Sequence, residues 1–157
     1  MPRTGALILA AGGSSRLGRP KQSLLFRGRT LLRHAAESAL SAGCAPVVVV
    51  LGANANALQC DLDDLPVAVA INPLWENGMG TSIRSGMEMM IDRTTPPECV
   101  LIMLCDQPLV SADTLRRLLR VHTLGNKPIT VCASGISLGS ATSPVSISSA
   151  LLEPTSR

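Results

Sequence analysis

Apolar residues gather in short runs, each closed by glycine, proline or a polar pair. Leu7 to Ala11 is such a run, ended by Gly12 and Gly13, and it reads as a buried strand. Pro46 to Leu51 is a valine run ended by Gly52, a second strand. Val67 to Ile71 predicts a third, closing on Asn72-Pro73. Val100 to Leu104 is the most apolar run and predicts the central strand of a sheet. Between these runs the period changes. Leu31, Ala35 and Ala39 recur at helical spacing, as do Leu32, Ala36 and Leu40; Thr30 can cap this helix and Gly43 can stop it. Residues 53–60 can form a short helix. Thr81 or Ser82 can cap a helix carrying Ile83, Met87, Met90 and Ile91 on one face, broken by Thr94 to Pro97. Ser111 can cap another, with Leu115, Leu118 and Leu119 inward and Arg116, Arg117 and Arg120 outward.

Strands that alternate with helices predict an α/β fold, a doubly wound and mostly parallel sheet with helices on both faces. Such sheets bind ligands beyond the carboxyl ends of their strands. Three loops fall there: 12–21, 72–80 and 105–108. Pro128 to Ala133 is compatible with a further strand, but Gly135 to Ser149 is Ser, Gly, Ala and Thr with little period. The expected organisation is one domain over 1–134 and an atypical tail over 135–157. The abrupt change predicts a tail that is truncated, read from a shifted frame near residue 130, or disordered; sequencing the gene through that segment tests the frame.

Composition narrows the function classes. The chain has 157 residues, 46% apolar and 16% charged, which suits one globular core. A net charge of +3 is too small to argue for nucleic acid. No apolar run approaches the ~18–20 residues of a membrane span, and the start of the chain reads as a strand rather than a signal peptide. Five widely spaced cysteines without a C-x-x-C pair predict reduced thiols and a cytoplasmic protein. His34 and His122 lack metal-ligand spacing, there is no G-x-S-x-G elbow, and Asp61, Asp63 and Asp64 read as a solvated turn.

The candidate chemistry lies in the loops. After the first strand comes Gly12-Gly13-Ser14-Ser15-Arg16-Leu17-Gly18-Arg19-Pro20-Lys21. Glycines bring backbone N–H groups close to a ligand, and Arg16, Arg19 and Lys21 suit a polyphosphate. A Walker A loop is excluded, because Arg19-Pro20 follows Gly18 where Lys-Ser/Thr is needed; the Rossmann G-x-G-x-x-G spacing is absent too. Asp106 directly follows an apolar strand, as a turn residue or as a Mg²⁺ ligand. Asn72 can bond a sugar or base, or simply start a turn; Gly78 and Gly80 allow backbone approach, and Thr81 and Ser82 stand at a helix N-terminus. Trp75 can stack on a flat ring or plug the loop, and the plug is favoured.

Read together, Leu9-Ala10-Ala11-Gly12-x-Ser14-x-Arg16-x-Gly18-x-x-Lys21, Asn72-Pro73-x-Trp75-x-x-Gly78-x-x-x-Ser82 and Cys105-Asp106-Gln107-Pro108 resemble the signature motifs of the MobA-like nucleotidyltransferases, and within them the molybdenum cofactor cytidylyltransferases. The resemblance covers roughly residues 5–122. It implies a Rossmann-like nucleotide-diphospho-sugar transferase fold and Mg²⁺-dependent transfer of CMP from CTP to the phosphate of molybdopterin cofactor, releasing pyrophosphate. It assigns Arg16, Lys21 and Asp106 to catalysis, with Asp106 on the metal. Leu9, Ala10, Ala11, Gly12, Gly13, Ser14, Ser15, Asn54, Asn72, Gly78 and Ser82 would contact the nucleotide. Ala11, where the guanylyl branch has glycine, and Gln107 favour CTP over GTP. A molybdoenzyme is implied as a further partner. The alternatives are a guanylyltransferase, a sugar-phosphate nucleotidyltransferase, or a non-catalytic cofactor-binding chaperone.

Overall fold

The computed structural model describes residues 2–13 and 18–125. Strand β1 (Thr4–Ala10) leads to a hairpin of β2 (Leu25–Phe26) and β3 (Arg29–Thr30), then to α1 (Leu31–Ser41). Next come β4 (Val47–Leu51), the short α2 (Ala55–Gln59), β5 (Ala68–Ile71), α3 (Met79–Ile91), β6 (Cys99–Leu104) and α4 (Ala112–Gly125). The main sheet has the order β5-β4-β1-β6, and its neighbours are all parallel. Register pairs Ile8 with Val49 on one side and with Met103 on the other.

That order is doubly wound. From β1 the chain steps to β4 and β5; α3 then carries it back across the sheet to β6, on the far side of β1. Right-handed crossovers in opposite directions put their helices on opposite faces. Both α1 and α3 pack on β1 and β4. One face is a cluster of Leu7, Leu9, Val48, Val50, Ala70 and Met90, with Ile83 and Met87 of α3 against it. The alternate residues Ala6, Ile8, Val47 and Val49 are equally buried, as are Leu32, Ala36 and Ala39 of α1. Strands covered on both faces explain the unbroken apolar runs.

Val100 to Leu104, expected at the centre of the sheet, pairs with β1, and among the described residues β1 and β4 have a neighbour on each side. The expected strand at 128–133, which bears on the place of β6 in the sheet, lies outside the described residues. The start of α3 is corrected: it begins at Met79 rather than after Thr81 or Ser82. Gly78 precedes it at φ 104°, a value that favours glycine, so the chain turns into the helix earlier than the hydroxyls suggest. The β2–β3 hairpin was not expected; its strands are two residues each, with positive φ at Arg27 and Gly28 in the tip. The caps at Thr30 and Ser111 are as expected, accepting from the N–H groups of Arg33 and Thr114.

The chain divides into two compact units, Met1–Leu115 and Arg116–Arg157. The first holds the sheet; of the second, only helical residues 116–125 are described. The possible strand at 128–133 and the tail over 135–157 lie outside the described residues.

Candidate active site

A doubly wound sheet opens a crevice where the strand order reverses. Here that point lies between β1 and β6, whose carboxyl ends lead into 11–21 and 105–111. A cleft of about 370 Å³ lies at these ends, lined by Leu9 to Gly12, Lys21, Gln22, Asp106, by Trp75 and Gly78 from the loop before α3, and by Met79 at the start of α3. The first and last of the three candidate loops thus meet because β1 and β6 are neighbours.

Lys21 and Asp106 face one another in this cleft. Lys21 Nζ lies 3.9 Å from Asp106 Oδ2, and the two side chains are 48% and 41% exposed. A pair this exposed is worth about 0–1 kcal/mol to the fold. Both groups can therefore meet a ligand at small cost. The polypeptide that carries Lys21 is held from below. Gln22, in the same single turn (Lys21–Ser23), is buried and donates from Nε2 to the carbonyls of Ala10 and Gly12, each at 2.8 Å. Gln22 Oε1 is buried and has no partner among the described residues. An unsatisfied buried acceptor costs about 1–3 kcal/mol.

Behind the cleft, the loop before α3 is tied together by Asn72. Asn72 closes β5 and is buried. Its Nδ2 donates to Thr81 Oγ1 and Ser82 Oγ, both at 2.9 Å, and its Oδ1 accepts from the Leu74 N–H at 2.9 Å. Trp75 lies along the backbone of two other segments. A Cβ on Gly13 would stand 2.8 Å from Trp75 Cη2, and one on Gly52 would stand 2.6 Å from Trp75 Cβ. The indole therefore plugs the space between the glycine-rich loop and the end of β4, the role favoured from the sequence.

Of the residues singled out in the sequence, Leu9, Ala10, Ala11, Gly12, Lys21, Gly78, Ser82 and Asp106 line the cleft. Gly13 packs on Trp75 instead. Asn72 and Asn54 do not line it. Asn72 spends its amide on its own loop, and Asn54 sits at φ 60° before α2, in a local bridge with Gly52. Ser14, Ser15 and Arg16 lie outside the described residues. The sequence reading missed Gln22 and Met79; no periodicity marks Gln22, since it sits in a single turn.

The donor set suits a hard cation only with help. Asp106 is the one carboxylate among the described residues lining the cleft, and no group of three or more His, Cys, Asp or Glu is placed to hold a metal among the described residues. One carboxylate plus phosphate oxygens and water is an ordinary set for Mg²⁺, so these residues fit an ion that arrives with a polyphosphate. Cys105 also lines the cleft, but burial, reinforced by the Asp106 charge, pushes its thiol up to about 12. It is a poor nucleophile at neutral pH.

Residues 6–156 match the MobA-like NTP transferase domain. The chain belongs to that family. It is 41% identical over 126 residues to nicotine blue oxidoreductase of Paenarthrobacter nicotinovorans, covering 80% of this chain and 60% of that protein. Among solved structures it is similar to a nucleotidyl transferase from Methanothermobacter thermautotroptrophicus, with a TM-score of 0.65, 29% identity, and 75% and 57% of the two chains covered. It is also similar to Rv0371c of Mycobacterium tuberculosis in complex with manganese, with a TM-score of 0.59, 29% identity, and coverage of 78% and 60%. The chain thus spans about three-fifths of the length of these relatives. Among the described residues no helix is long and apolar enough to cross a membrane.

Proposed function

We propose that this MobA-like chain is a nucleotidyltransferase that takes CTP, in preference to GTP, and transfers CMP to the phosphate of molybdopterin cofactor in the cytoplasm. The observation that carries the reading is the approach of Lys21 to Asp106, 3.9 Å apart and both accessible, where β1 and β6 diverge. Family membership supports the reaction class; CTP and the molybdenum cofactor rest on the motif resemblance alone.

In this reading a phosphate oxygen of the acceptor attacks the α-phosphorus of the triphosphate. A new P–O bond forms, the bond to the β-phosphate bridging oxygen breaks, and pyrophosphate leaves with that electron pair. The protein supplies position and charge rather than covalent chemistry. Backbone N–H groups of residues 11–15 cradle phosphates, with Ser14 and Ser15 among them. Arg16 and Lys21 neutralise charge on the triphosphate and on the leaving pyrophosphate. Asp106 would hold Mg²⁺, which when bound offsets the negative charge of the phosphate oxygens. A related structure solved in complex with manganese supports use of a divalent ion by such proteins. Pyrophosphate release with Mg²⁺, the cofactor and either CTP or GTP tests the reading. Release with CTP is expected; no release with any nucleotide rejects transfer, and faster release with GTP rejects the base choice.

A second reading is oxidoreduction, favoured by the 41% identity to nicotine blue oxidoreductase. Reduction or oxidation of nicotine blue by the protein, without pyrophosphate release, would favour it over transfer.

A further inference from the structure

The turn Lys21–Ser23 sends two neighbouring side chains into different settings. Lys21 reaches the cleft, whereas Gln22 is 3% exposed and makes both of its Nε2 bonds to the start of the glycine-rich loop. The opposite amide orientation would set Oε1 against two carbonyl oxygens, so the loop dictates the direction of the amide. The consequence is an acceptor, Oε1, left unpaired among the described residues. A residue that only filled space would carry neither feature, because an apolar side chain of similar length fills the same volume without an orphaned oxygen.

The two bonds fix more than distance. In a trans peptide the N–H points opposite to the C=O of the same plane. Holding the Ala10 and Gly12 carbonyls toward Gln22 therefore turns the N–H groups of Ala11 and Gly13 away from it. Between them, the Ala11 carbonyl accepts from the Ala53 N–H at 3.1 Å. Three successive peptide planes are thus each held by one hydrogen bond to their carbonyl, in a stretch whose glycines would otherwise sample many orientations.

We propose that Gln22 is a positioning residue: it fixes the peptide planes of the glycine-rich loop so that their donors face a polyphosphate, and it anchors the turn that sets Lys21 opposite Asp106. The functional half of this proposal rests on the reading of the cleft as a nucleoside triphosphate site; the hydrogen-bonded anchor is independent of it and is tested in the free protein.

The experiment compares wild type with Gln22→Met, which keeps the length and loses the donors, and Gln22→Glu, which keeps the shape and replaces donors with acceptors. Carbonyl ¹³C resonances of Ala10 and Gly12 are followed in the free protein, with Leu7 and Ile8 as controls in the same strand. Dissociation constants for Mg²⁺ and CTP together are then measured on the same samples. Both variants should remain folded, with the Ala10 and Gly12 resonances displaced and those of Leu7 and Ile8 unmoved. The Kd should rise about tenfold in Gln22→Met, the order expected for lost charge-neutral hydrogen bonds, and further in Gln22→Glu. A folded Gln22→Met variant with wild-type resonances and wild-type Kd overturns the proposal. Loss of folding in both variants overturns it as well, since Gln22 would then serve the whole fold. Displaced resonances in a protein whose wild type binds no nucleotide would uphold the anchor and reject the nucleotide reading.

Discussion

Arg33 and Lys21 each face a carboxylate from another part of the chain, and they do so differently. Arg33 makes two parallel bonds to Asp64, both at 2.7 Å, a third to Glu37 at 3.0 Å and a fourth to the Asp61 carbonyl at 3.0 Å. Thr30 adds a hydrogen bond to Asp61, and Arg29 pairs with Glu37. The result ties the start of α1 to the segment after α2. Its geometry is the forked, multiply bonded kind that uses up the guanidinium. Lys21 and Asp106 meet at 3.9 Å, with both side chains about half exposed. An approach of 3.9 Å between half-exposed groups is looser than the two-bond fork on Arg33. Ion-pair geometry thus separates a multiply bonded tie between two segments from a long, exposed approach, which the proposed function reads as a ligand site. The acidic cluster Asp61, Asp63 and Asp64, read from sequence as a solvated turn, belongs partly to the first kind.

Breaking the cleft pair should have the larger effects. Asp106→Asn should lower turnover on the order of 10²-fold or more, the scale for losing one electrostatic group at a reacting centre, and should flatten the dependence on Mg²⁺. A metal titration of turnover checks this; an unchanged curve would make Asp106 a turn residue. Lys21→Ala should lower kcat/KM by roughly 10²-fold on the same scale, with the far-ultraviolet spectrum intact. Both losses should leave Tm close to wild type, because an exposed pair contributes little to stability.

The Arg33 corner should behave in reverse. Arg33→Ala should lower Tm by a small amount and leave activity per folded molecule unchanged. A loss of kcat/KM with unchanged Tm would erase the contrast. Acid provides the smallest effect. Hydrogen bonds from Arg33 hold the Asp64 carboxyl at about 2, below its ordinary 3.8. A depressed pKa contributes stability above the unfolded value that is lost as pH falls through the folded one. Between about pH 4 and pH 2, Tm should therefore fall slightly more steeply in wild type than in Asp64→Asn, and less so in high salt because the carboxylate is exposed. Parallel slopes would remove Asp64 from the account.

The parallel architecture was legible because the apolar runs of β1 and β4 are buried on both faces, and that of β6 on one face with the other partly covered. Strand order was not. Nothing local says that β6 pairs with β1 rather than with β5. The meeting of Lys21 with Asp106 follows from β1 and β6 being neighbours, which the doubly wound pattern suggested only in outline. Asn72 looked like a ligand contact because an exposed loop amide is free to bond a sugar; burial against Thr81 and Ser82 removed that freedom. Gln22 left no pattern to read, since its role depends on carbonyls ten and twelve residues away. The part of the loop with Ser14, Ser15 and Arg16 lies outside the described residues, so their roles stand as proposals.

In the proposed function, the crevice between β1 and β6 binds a nucleoside triphosphate through Lys21 and, with a divalent ion, through Asp106. Calorimetric titration of CTP into wild type, Lys21→Ala, Asp106→Asn and Arg33→Ala, each with and without Mg²⁺, tests it most directly. Mg²⁺-dependent binding is expected in wild type and Arg33→Ala, weakened binding in Lys21→Ala, and binding that no longer responds to Mg²⁺ in Asp106→Asn. Equal affinity in all four proteins, with the same response to Mg²⁺, would contradict it.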